Sequence, residues 1–456
     1  MAIGADLDVM QAVTKNHYLP ALVDKLNNTN PYWSRIKKTA EFIPMHGRDL
    51  KAYWPIKLRN NKGSGIRAAK AVMPTPRANK YLELECALKR MYGTMKFDGD
   101  SLAATSQSDT RFVEVIDSET TGLKTGYEND LATYVISPSF GWIGITNGAG
   151  GGADATVTVD GPGTIWMEEG MPIQTNAFSV TTGVGTIVAG VADEDISQGL
   201  TDGTAHQIGV IDEDNLTSFE LETYLDAAVT TEKWSDNRLI FRYGSVSAGT
   251  TPESMHGLLT LIDNYRLQAA STSSAFDLEF GLISLQGQSK LTYPKLDAVC
   301  IHNEGSDRAF TEELFQEGLD RVNTRTGQDH KNRYALMNQA LRRSFVGLLQ
   351  SDRGFTADKM KLKGGWETIG YQAGNNQIAI VEEKKIPTGM VFVPDMEDMI
   401  IHRFKEPEFM DLAGGSMFRQ YHDSSGEYDA YIATLYCYME QGSKFPGSGL
   451  VFRDVA

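Results

Sequence analysis

Two acidic runs contain the side chains most able to bind a metal ion. They are Asp193-Glu194-Asp195, followed by Asp202, and Asp212-Glu213-Asp214. Carboxylate oxygens suit Ca²⁺, but neither run has the D-x-D-x-D-G order of a calcium loop. The eight histidines are scattered, and the sequence has neither a C-x-x-C pair nor an H-E-x-x-H motif. We therefore expect solvated turns at both acidic runs and no metal site.

A glycine-rich run at 148–153 matches the G-x-G-x-x-A pattern in its letters. A dinucleotide site needs that turn to begin a helix, whereas Asp154–Val159 alternates like a strand. The sequence also lacks a Walker A motif and a G-x-S-x-G elbow. No catalytic residue, no cofactor-binding residue and no cofactor is therefore predicted. A hydrolase built on paired carboxylates stays open as a weaker alternative, because only geometry can assign such a pair.

The strongest single element is a helix predicted from Ser108 to Ser137. Ser108 can cap its start, and Pro138 stops it. Such a helix is about 40 Å long. Gly122 and Gly126 lie inside it, where they predict either a bend or a place where another backbone packs closely. Its apolar residues recur at spacings of three, four or seven, and they are Phe112, Ile116, Leu123, Tyr127, Leu131 and Tyr134.

The composition indicates a globular chain of several domains. With 456 residues, 41% of them hydrophobic and 22% charged, two to four domains of about 150 residues are expected. No apolar run reaches the roughly 18 residues of a membrane span, and the N-terminal stretch lacks the features of a secretory signal. We therefore predict no membrane contact. Cys86, Cys300 and Cys437 are expected to be buried free thiols.

Residues 47–97 have the pattern of a long basic hairpin. The limbs 50–58 and 81–92 alternate with period two, and a glycine-containing loop of about twenty residues separates them. A compact domain rarely keeps so long a loop without a use for it, so we expect the loop to reach a partner. The candidate contact residues are Arg59, Lys62, Arg67, Lys70, Arg77 and Lys80.

Charge is distributed unevenly along the chain, whose net charge is −16. From Lys15 to Lys96 there are 17 Lys or Arg against five acidic residues, a balance of +12, whereas the rest has 26 against 54, a balance of −28. Phosphates of a nucleic acid would suit the basic segment alone. The acidic remainder instead favours a basic segment laid over an acidic neighbour of the same kind.

Helices and strands alternate over the remaining sequence without a βαβ rhythm, which favours an α+β fold class. Alternating stretches at 155–159, 163–167 and 184–188 predict a small β sandwich or barrel within 140–211. Helices are predicted at 252–270, 307–322 and 332–349. Strands are predicted at 296–302, 377–382, 390–394, 398–404, 416–421 and 428–438.

The first forty residues contain two short helical patterns. Tyr18, Leu22 and Leu26 form one apolar stripe, and Trp33 and Ile36 follow the proline at position 31 in the second. Neither piece is long enough to form a core alone. We expect both to lie against another part of the structure as an arm.

This order of parts resembles the major capsid protein of tailed bacteriophages, with the shell fold named for phage Hong Kong 97. The resemblance rests on Asn16-His-Tyr-Leu-Pro-Ala-Leu in the arm, Lys57–Lys80 as the extended loop, Phe112–Val135 as the spine helix and Met417–Met439 as returning strands. Tyr428–Ile432 and Trp166–Ile173 also look like phage capsid sequence. These are matches of architecture over most of the chain, not a short diagnostic motif.

The resemblance implies a division of the chain into an arm, a loop, a peripheral domain and an axial domain, with a β-rich insertion. The arm is 1–46, the extended basic loop 47–100 and the spine helix of the peripheral domain 101–137. The β-rich module is 138–216, a further peripheral segment 217–251, the axial domain 252–395 and the peripheral return strands 396–456.

The same resemblance implies a structural, non-enzymatic role. Many copies would form hexamers and pentamers of an icosahedral shell around double-stranded DNA, in a virion assembled in the host bacterial cytoplasm. The loop residues above, with Tyr18 and Trp33, would contact neighbouring subunits, and Gly122 and Gly126 would let the spine bend. A separate scaffolding protein, a portal at one vertex and a decoration protein are the further partners implied. Lys62 and Lys70 lie where some relatives form Lys–Asn crosslinks, but no asparagine partner is identifiable.

Two other functions remain as alternatives. An encapsulin-type compartment would use the same fold, although the large β insertion favours a phage shell. A β-rich fibre or adhesin module belongs to a different class and would need trimeric or repeat patterning, which the sequence lacks.

Overall fold

The computed structural model describes most of the chain between residues 31 and 456. The described residues are 31–36, 41–42, 51–69, 71–75, 77–98, 109–138, 141–148, 156–160, 162–179, 186–187, 206–212, 216–222, 238–243, 245–247, 251–252, 254–264, 284–303, 306–327, 332–351, 359–361, 367–373, 376–410, 418–423 and 426–456. Tyr18, Lys70 and the acidic residues 193–195 lie outside this set. The predicted α+β class is confirmed, since helices and strands are mixed along the chain.

A long antiparallel hairpin follows the first short elements, as the alternating pattern predicted. Helix α1 is Pro31–Ile36 and strand β1 is Glu41–Phe42. Strands β2, Lys51–Arg59, and β3, Lys80–Ala87, pair in register from Lys51 opposite Ala87 to Arg59 opposite Lys80. The chain then continues into β4, Lys89–Asp98. The second limb therefore contributes β3 to the hairpin and β4 to a second sheet.

Helix α2, Asp109–Ile136, is the predicted spine and is continuous in the structure. It packs on a five-stranded sheet built around β24, Gly426–Ser443, the longest strand described. The neighbours of β24 are β4, β22, Met399–Phe409, and β23, Arg419–Asp423, and β1 pairs with β22. A Cβ on Gly93 of β4 would lie 3.1 Å from Leu123 and from Tyr127 of the helix, so β4 and the spine are in close contact.

The β-rich region forms a closed barrel. Its strands are β5 Trp142–Thr146, β6 Thr156–Asp160, β7 Pro172–Ser179, β9 His206–Ile211, β10 Ser218–Glu222 and β11 Arg238–Arg242, with β8 Thr186–Ile187 attached to β7. The pairing order runs from β11 through β5, β6, β10 and β9 to β7, and β7 pairs with β11 again. Closure leaves these six strands without a free sheet edge. Strands β10 and β11 lie beyond residue 216, so the barrel uses residues on both sides of that expected boundary.

A mixed seven-stranded sheet is the third large β structure, after the five-stranded sheet and the barrel. Its order is β16-β25-β21-β17-β20-β19-β18. The strands are β16 Val299–Ile301, β17 Tyr334–Met337, β18 Lys359–Lys361, β19 Glu367–Ala373, β20 Asn376–Glu382, β21 Val391–Val393 and β25 Leu450–Phe452. Helices α4, Glu312–Thr326, and α5, Gln339–Ser351, pack on it through Phe315 and Phe345. Residues 450–452 thus return from the end of the sequence into the sheet of the expected axial region.

Five short pieces complete the described structure. The two-stranded pairs are β12 Val246–Ser247 with β13 Thr251–Pro252, and β14 Ser284–Leu285 with β15 Gln288–Ser289. Helix α3, Leu258–Leu261, is a single turn, and short 3₁₀ turns occupy Pro294–Leu296 and Pro446–Ser448. Within the described ranges, no helix is long and apolar enough to cross a membrane.

The helix predicted from 252 to 270 is wrong over the residues described there. Pro252 lies in strand β13, and only Leu258–Leu261 is helical. The apolar residues that suggested a helix are buried, but in a compact turn against the end of the spine. Gly257 explains this packing, because a Cβ there would overlap the carbonyl oxygen of Ser137.

The strand predicted at 163–167 is also wrong. Gly163 has φ of 65°, and residues 162–166 form turns and not a strand. The alternation there reflects burial of Trp166, whose ring lies 5.9 Å from that of Trp142. Its indole N–H donates to the carbonyl of Lys385 at 2.8 Å, joining the barrel region to the seven-stranded-sheet region.

Candidate assembly surface

The base of the β2–β3 hairpin is packed against its own chain. Ile56, Leu82 and Leu84 form an apolar cluster with Leu296 of the 3₁₀ turn, and Leu84 and Leu296 are 0% and 1% exposed. Trp54 stacks on His402 of β22 with ring centroids 4.8 Å apart. Because alternate residues of a strand face the same side, one face of the hairpin is committed to the body of the subunit.

Polar contacts hold the same part of the hairpin in place. The Glu85 N–H donates to the Gln286 carbonyl at 3.0 Å, and the Gln288 side-chain amide donates to the Glu83 carbonyl at 2.8 Å. Lys295 donates to the Leu58 carbonyl at 2.8 Å. On the first limb these hydrogen bonds end at Leu58, and on the second limb the Lys80 ammonium lies 5.2 Å from the centroid of the Tyr293 ring.

Beyond Leu58, the hairpin projects from the body. We call residues 59–81 the distal loop. All of its described residues are exposed except Gly63 and Pro74, which are intermediate. Its described side-chain hydrogen bonds are internal: the Asn61 N–H donates to Asn79 Oδ1 at 2.8 Å, and the Gly63 N–H donates to Asn61 Oδ1 at 2.7 Å. The two limbs therefore stay together while the rest of the loop faces solvent.

The distal loop combines positive charge with uncovered apolar side chains. Between Lys57 and Leu82 the sequence has seven Lys or Arg and no acidic residue. Ile66, Val72 and Met73 are 102%, 88% and 83% exposed. Solvating three large apolar side chains so fully is unfavourable by about 25 cal/mol per Å² of apolar surface. The arrangement is that of a segment whose partner surface lies outside its own subunit.

Of the predicted contact residues, some are exposed, some lie outside the described residues and one is buried. Arg59, Lys62, Arg67, Arg77 and Lys80 are all exposed on the distal loop. Tyr18 and Lys70 lie outside the described residues. Trp33 differs from its prediction as a contact with a neighbour, because it is 2% exposed within the main core of its own chain. The aromatic and apolar residues after Pro31 bury α1 against the subunit, and that burial removes Trp33 from the surface.

The arm segment α1 is held by a buried hydrogen-bond network that the sequence did not predict. The side-chain amide of Gln441 donates to the Tyr32 hydroxyl at 2.6 Å, and Tyr32 is 0% exposed. Two carboxyls lie nearby in the same core. Burial raises the pKa of Glu383 to about 7 and that of Glu440 to about 8. Glu440 accepts from the backbone N–H groups of His256 at 2.7 Å and Gln441 at 3.0 Å.

The spine glycines have no packing partner within the described subunit. A Cβ built at Gly122 or Gly126 would meet no atom within 4 Å. Neither residue therefore marks a close backbone contact inside this chain, and helix α2 runs through both. Their role as bend points in an assembly stays a prediction.

A buried cluster of ion pairs joins Lys290 and Arg453 to Asp263 and Asp297. Lys290 is 0% exposed, and its ammonium donates to the Asp263 carbonyl at 3.2 Å and lies 3.8 Å from an Asp297 oxygen. Arg453 donates to Asp263 Oδ1 at 2.8 Å. Burial lowers the pKa of Lys290, whereas Asp263 and Asp297 oppose that shift. Two cations and two carboxylates balance, which is the requirement for burying such a cluster. The cluster therefore has a structural explanation.

The three cysteines are free and buried, as expected. Burial raises the pKa of the Cys86 thiol and raises that of Cys437 to about 11. Both thiols are therefore protonated near neutral pH. Among the described residues no group of three or more His, Cys, Asp or Glu is placed to hold a metal ion.

The chain is similar in fold to solved capsid structures over more than nine tenths of its length. One is the capsid asymmetric unit of cyanophage A-1(L), with 10% identity, 93% of each chain covered and a TM-score of 0.48. Another is the capsid of a native GTA particle, with 8% identity, 93% and 90% coverage and a TM-score of 0.41. A third is the procapsid of satellite phage P4 including its size determination protein, with 8% identity, 96% and 90% coverage and a TM-score of 0.37.

No protein-family model and no curated protein sequence matches the chain. The structural similarities have TM-scores below 0.5, so a functional conclusion depends on the chain's own architecture. That architecture has the order expected from the sequence: a projecting hairpin, a continuous spine helix on a sheet, a β-rich region and a mixed sheet with two helices.

Proposed function

We propose that this chain is the structural subunit of an icosahedral phage shell, assembled as hexamers and pentamers around double-stranded DNA. The observation that carries the proposal is the distal loop, which extends from the paired strands β2 and β3 and leaves basic and apolar side chains exposed. A self-sufficient monomer gains nothing from such a segment. A subunit that must bind identical neighbours does.

The charge distribution supports a neighbour of the same kind as the partner. Outside the segment from Lys15 to Lys96 the chain has a balance of −28, so the basic loop meets an acidic surface on any other copy. An acidic wall would also repel packaged DNA and not trap it during filling. A continuous basic patch along the inner wall of an assembled shell would contradict that part of the proposal.

The role we propose is structural and not enzymatic. Lys290 and Arg453 neutralise Asp263 and Asp297, and Oε1 of Glu440 accepts from two backbone N–H groups. A separate scaffolding protein, a portal and a decoration protein are proposed as further partners, with the virion as the location and the host cytoplasm as the place of assembly.

An encapsulin-type compartment is the second candidate, because it would use the same subunit architecture. The closed β barrel between residues 142 and 242 favours the phage shell, since a decorated or enlarged shell can accommodate such an addition. Shells that enclose protein cargo and no DNA, isolated from cells that express the chain with its neighbouring genes, would support the second candidate instead.

Electron microscopy of the purified full-length chain tests the proposal. We expect closed shells, or rings of five and six subunits, above a threshold protein concentration. Sedimentation velocity on the same samples would follow the loss of monomer. A chain that stays monomeric at high concentration, both alone and in extracts that contain its scaffolding candidates, would contradict a shell function.

A further inference from the structure

A wide groove lies on the outer side of the seven-stranded sheet, between helices α4 and α5. Its volume is about 1060 Å³, and Phe345 and Tyr371 form part of its lining. Leu348, on the α5 wall, is 45% exposed. Leu341 and Phe345 of the same helix are buried on the sheet, so Leu348 is a half-exposed apolar side chain beside a packed face. The groove therefore has an apolar wall without a complete cover.

The opposite wall of the groove is acidic in balance, because it has four carboxylates against the guanidinium groups of Arg321 and Arg325. Helix α4 buries Phe315, Leu319 and Val322 on the sheet and exposes a row of carboxylates along the groove. Those carboxylates belong to Glu312, Glu313, Glu317 and Asp320. Arg321 pairs with Glu317, and Gln316 donates to Asp320 at 2.9 Å, so the row is held in place. Burial, followed by nearby Glu312, raises the pKa of Tyr371 to about 12.

The groove and the distal loop are complementary in two independent respects. The loop has the cations Lys62, Arg67 and Arg77, and the groove has four carboxylates. The loop also has three exposed apolar side chains, and the groove has the half-exposed Leu348. Neither match follows from the other, because one concerns charge and one concerns apolar area. Pairing both sets of groups would cover exposed apolar area and place opposite charges next to each other.

We propose that the distal loop of one copy docks in the α4–α5 groove of a second copy. Lys62, Arg67 and Arg77 face the carboxylates of α4, and Ile66, Val72 and Met73 cover Leu348. This inference rests on the proposed shell function and specifies the surface that receives the loop.

The docking mode predicts ring formation. The loop and the groove are different surfaces, so the contact is heterologous and each copy uses its loop on one neighbour and its groove on the other. Such head-to-tail contacts produce closed rings when the rotation between neighbours closes. Hexamers and pentamers would then share one contact and differ only in that rotation.

Charge reversal tests the contact in the full-length protein. The loop variant is Lys62→Glu with Arg67→Glu, and the groove variant is Glu313→Lys with Asp320→Lys. Each is expected to raise the concentration needed for assembly at least about tenfold, because like charges then face each other. The chain with all four changes is expected to assemble again, since the pairing is restored with opposite signs.

Mixing the two double variants gives a sharper result. The reversed loop of one fits the reversed groove of the other, and the two unchanged surfaces also fit. Strict alternation is therefore expected to produce rings with an even number of subunits and no pentamers, although neither variant assembles alone. Electron microscopy counts the subunits per ring.

Two matched controls separate docking from a general effect of charge. Glu169→Lys with Glu220→Lys changes two exposed carboxylates of the barrel region, and Arg419→Glu with Lys384→Glu changes two exposed cations elsewhere. Both controls are expected to assemble like the wild type. Thermal unfolding of every variant checks that the subunit is folded.

Disulfide trapping supplies a second measurement. Met73→Cys in one copy and Leu348→Cys in another are expected to form a crosslinked dimer on oxidation, and Met73→Cys with Lys384→Cys is not. The three native thiols are buried and do not compete.

The outcomes distinguish the docking proposal from the shell function. Wild-type shells with groove variants that assemble normally and no Met73–Leu348 crosslink would overturn the docking site and leave the shell function standing. A wild-type chain that never assembles would overturn both.

Discussion

The two ends of the β2–β3 hairpin differ in what holds them. At the base, Leu84 is 0% exposed, and Trp54 stacks on His402. At the other end, Val72 and Met73 are 88% and 83% exposed on the same hairpin. The hairpin thus passes from a base that is packed on its own subunit to a loop whose described side chains are mostly exposed. From this difference we expect the base of the hairpin to determine the stability of the subunit. We expect the distal loop to determine its assembly with other copies.

Removing the distal loop should have the largest effect. We expect it to abolish assembly and to leave folding of the subunit intact. Arg59 and Lys80 are paired in register, so residues 60–79 can be replaced by Asn-Gly, which forms a two-residue hairpin turn. We expect the subunit to fold with unchanged or slightly raised stability, because a shorter loop costs less entropy to close. Assembly should be lost, as measured by sedimentation velocity. Normal shells from this variant would refute the assignment of assembly to the loop.

Truncation at the base should have the next largest effect, and on folding. Leu84→Ala should lower the free energy of unfolding by about 2 to 5 kcal/mol, since it empties a packed site. Val72→Ala in the distal loop is the matched control and should change it by less than about 0.5 kcal/mol. Denaturant unfolding of the unassembled subunit measures both. Equal effects would show that the two ends of the hairpin do not differ.

Glu440 should make the stability of the region beneath the base depend on pH. It adjoins Gln441, whose carbonyl accepts from the Cys86 thiol of the hairpin at 3.8 Å. Burial raises its pKa from 4.5 to about 8, so the folded subunit binds a proton that the unfolded chain releases above 4.5. Its contribution is fully present below that lower value and is lost as pH rises towards 8. Glu440→Gln keeps both accepted hydrogen bonds and should be less sensitive to rising pH.

Unfolding experiments between about pH 5 and about pH 9 test this sign. Glu220→Gln, an exposed barrel carboxyl, is the control and should follow the wild-type profile. A Glu440→Gln profile as steep as the wild type would mean that Glu440 does not cause the dependence.

The spine glycines should give the smallest effect. Because nothing lies within 4 Å of a Cβ at Gly126, Gly126→Ala should stabilise the isolated subunit by about 1 kcal/mol through helix propensity. If the spine bends in a shell, the same change should reduce the yield of closed shells. Stabilisation with normal shells would leave the glycine without an assembly role.

Elements that depend on local sequence were predictable. The spine was expected from Ser108 to Ser137 and spans Asp109–Ile136, because its apolar period and its proline stop are local signals. The hairpin limbs were likewise evident from alternation. The uncovered, basic character of the loop could also be foreseen, since a run with seven cations and no acid cannot form a core of its own.

Features that depend on distant residues could not be foreseen. Pro252 and the residues after it have a helical apolar pattern, yet the end of the spine at Ser137 forces a compact turn at Gly257. The burial of Trp33 depends on strands at the other end of the sequence, as does the raised pKa of Glu440. The acidic row on α4 is visible in the sequence, but its position beside Leu348 of α5 is not.

Strand β25 has a consequence for the timing of synthesis. Leu450–Phe452 lies between β16 and β21 in the seven-stranded sheet, at the far end of the sequence from both. A ribosome must therefore release these residues before β16 can join its sheet, whereas the hairpin and the spine are translated much earlier. Truncated chains would have the exposed distal loop while the seven-stranded sheet is still incomplete. Chains that end before residue 450 would lack the strand that joins β16 to the rest of the sheet.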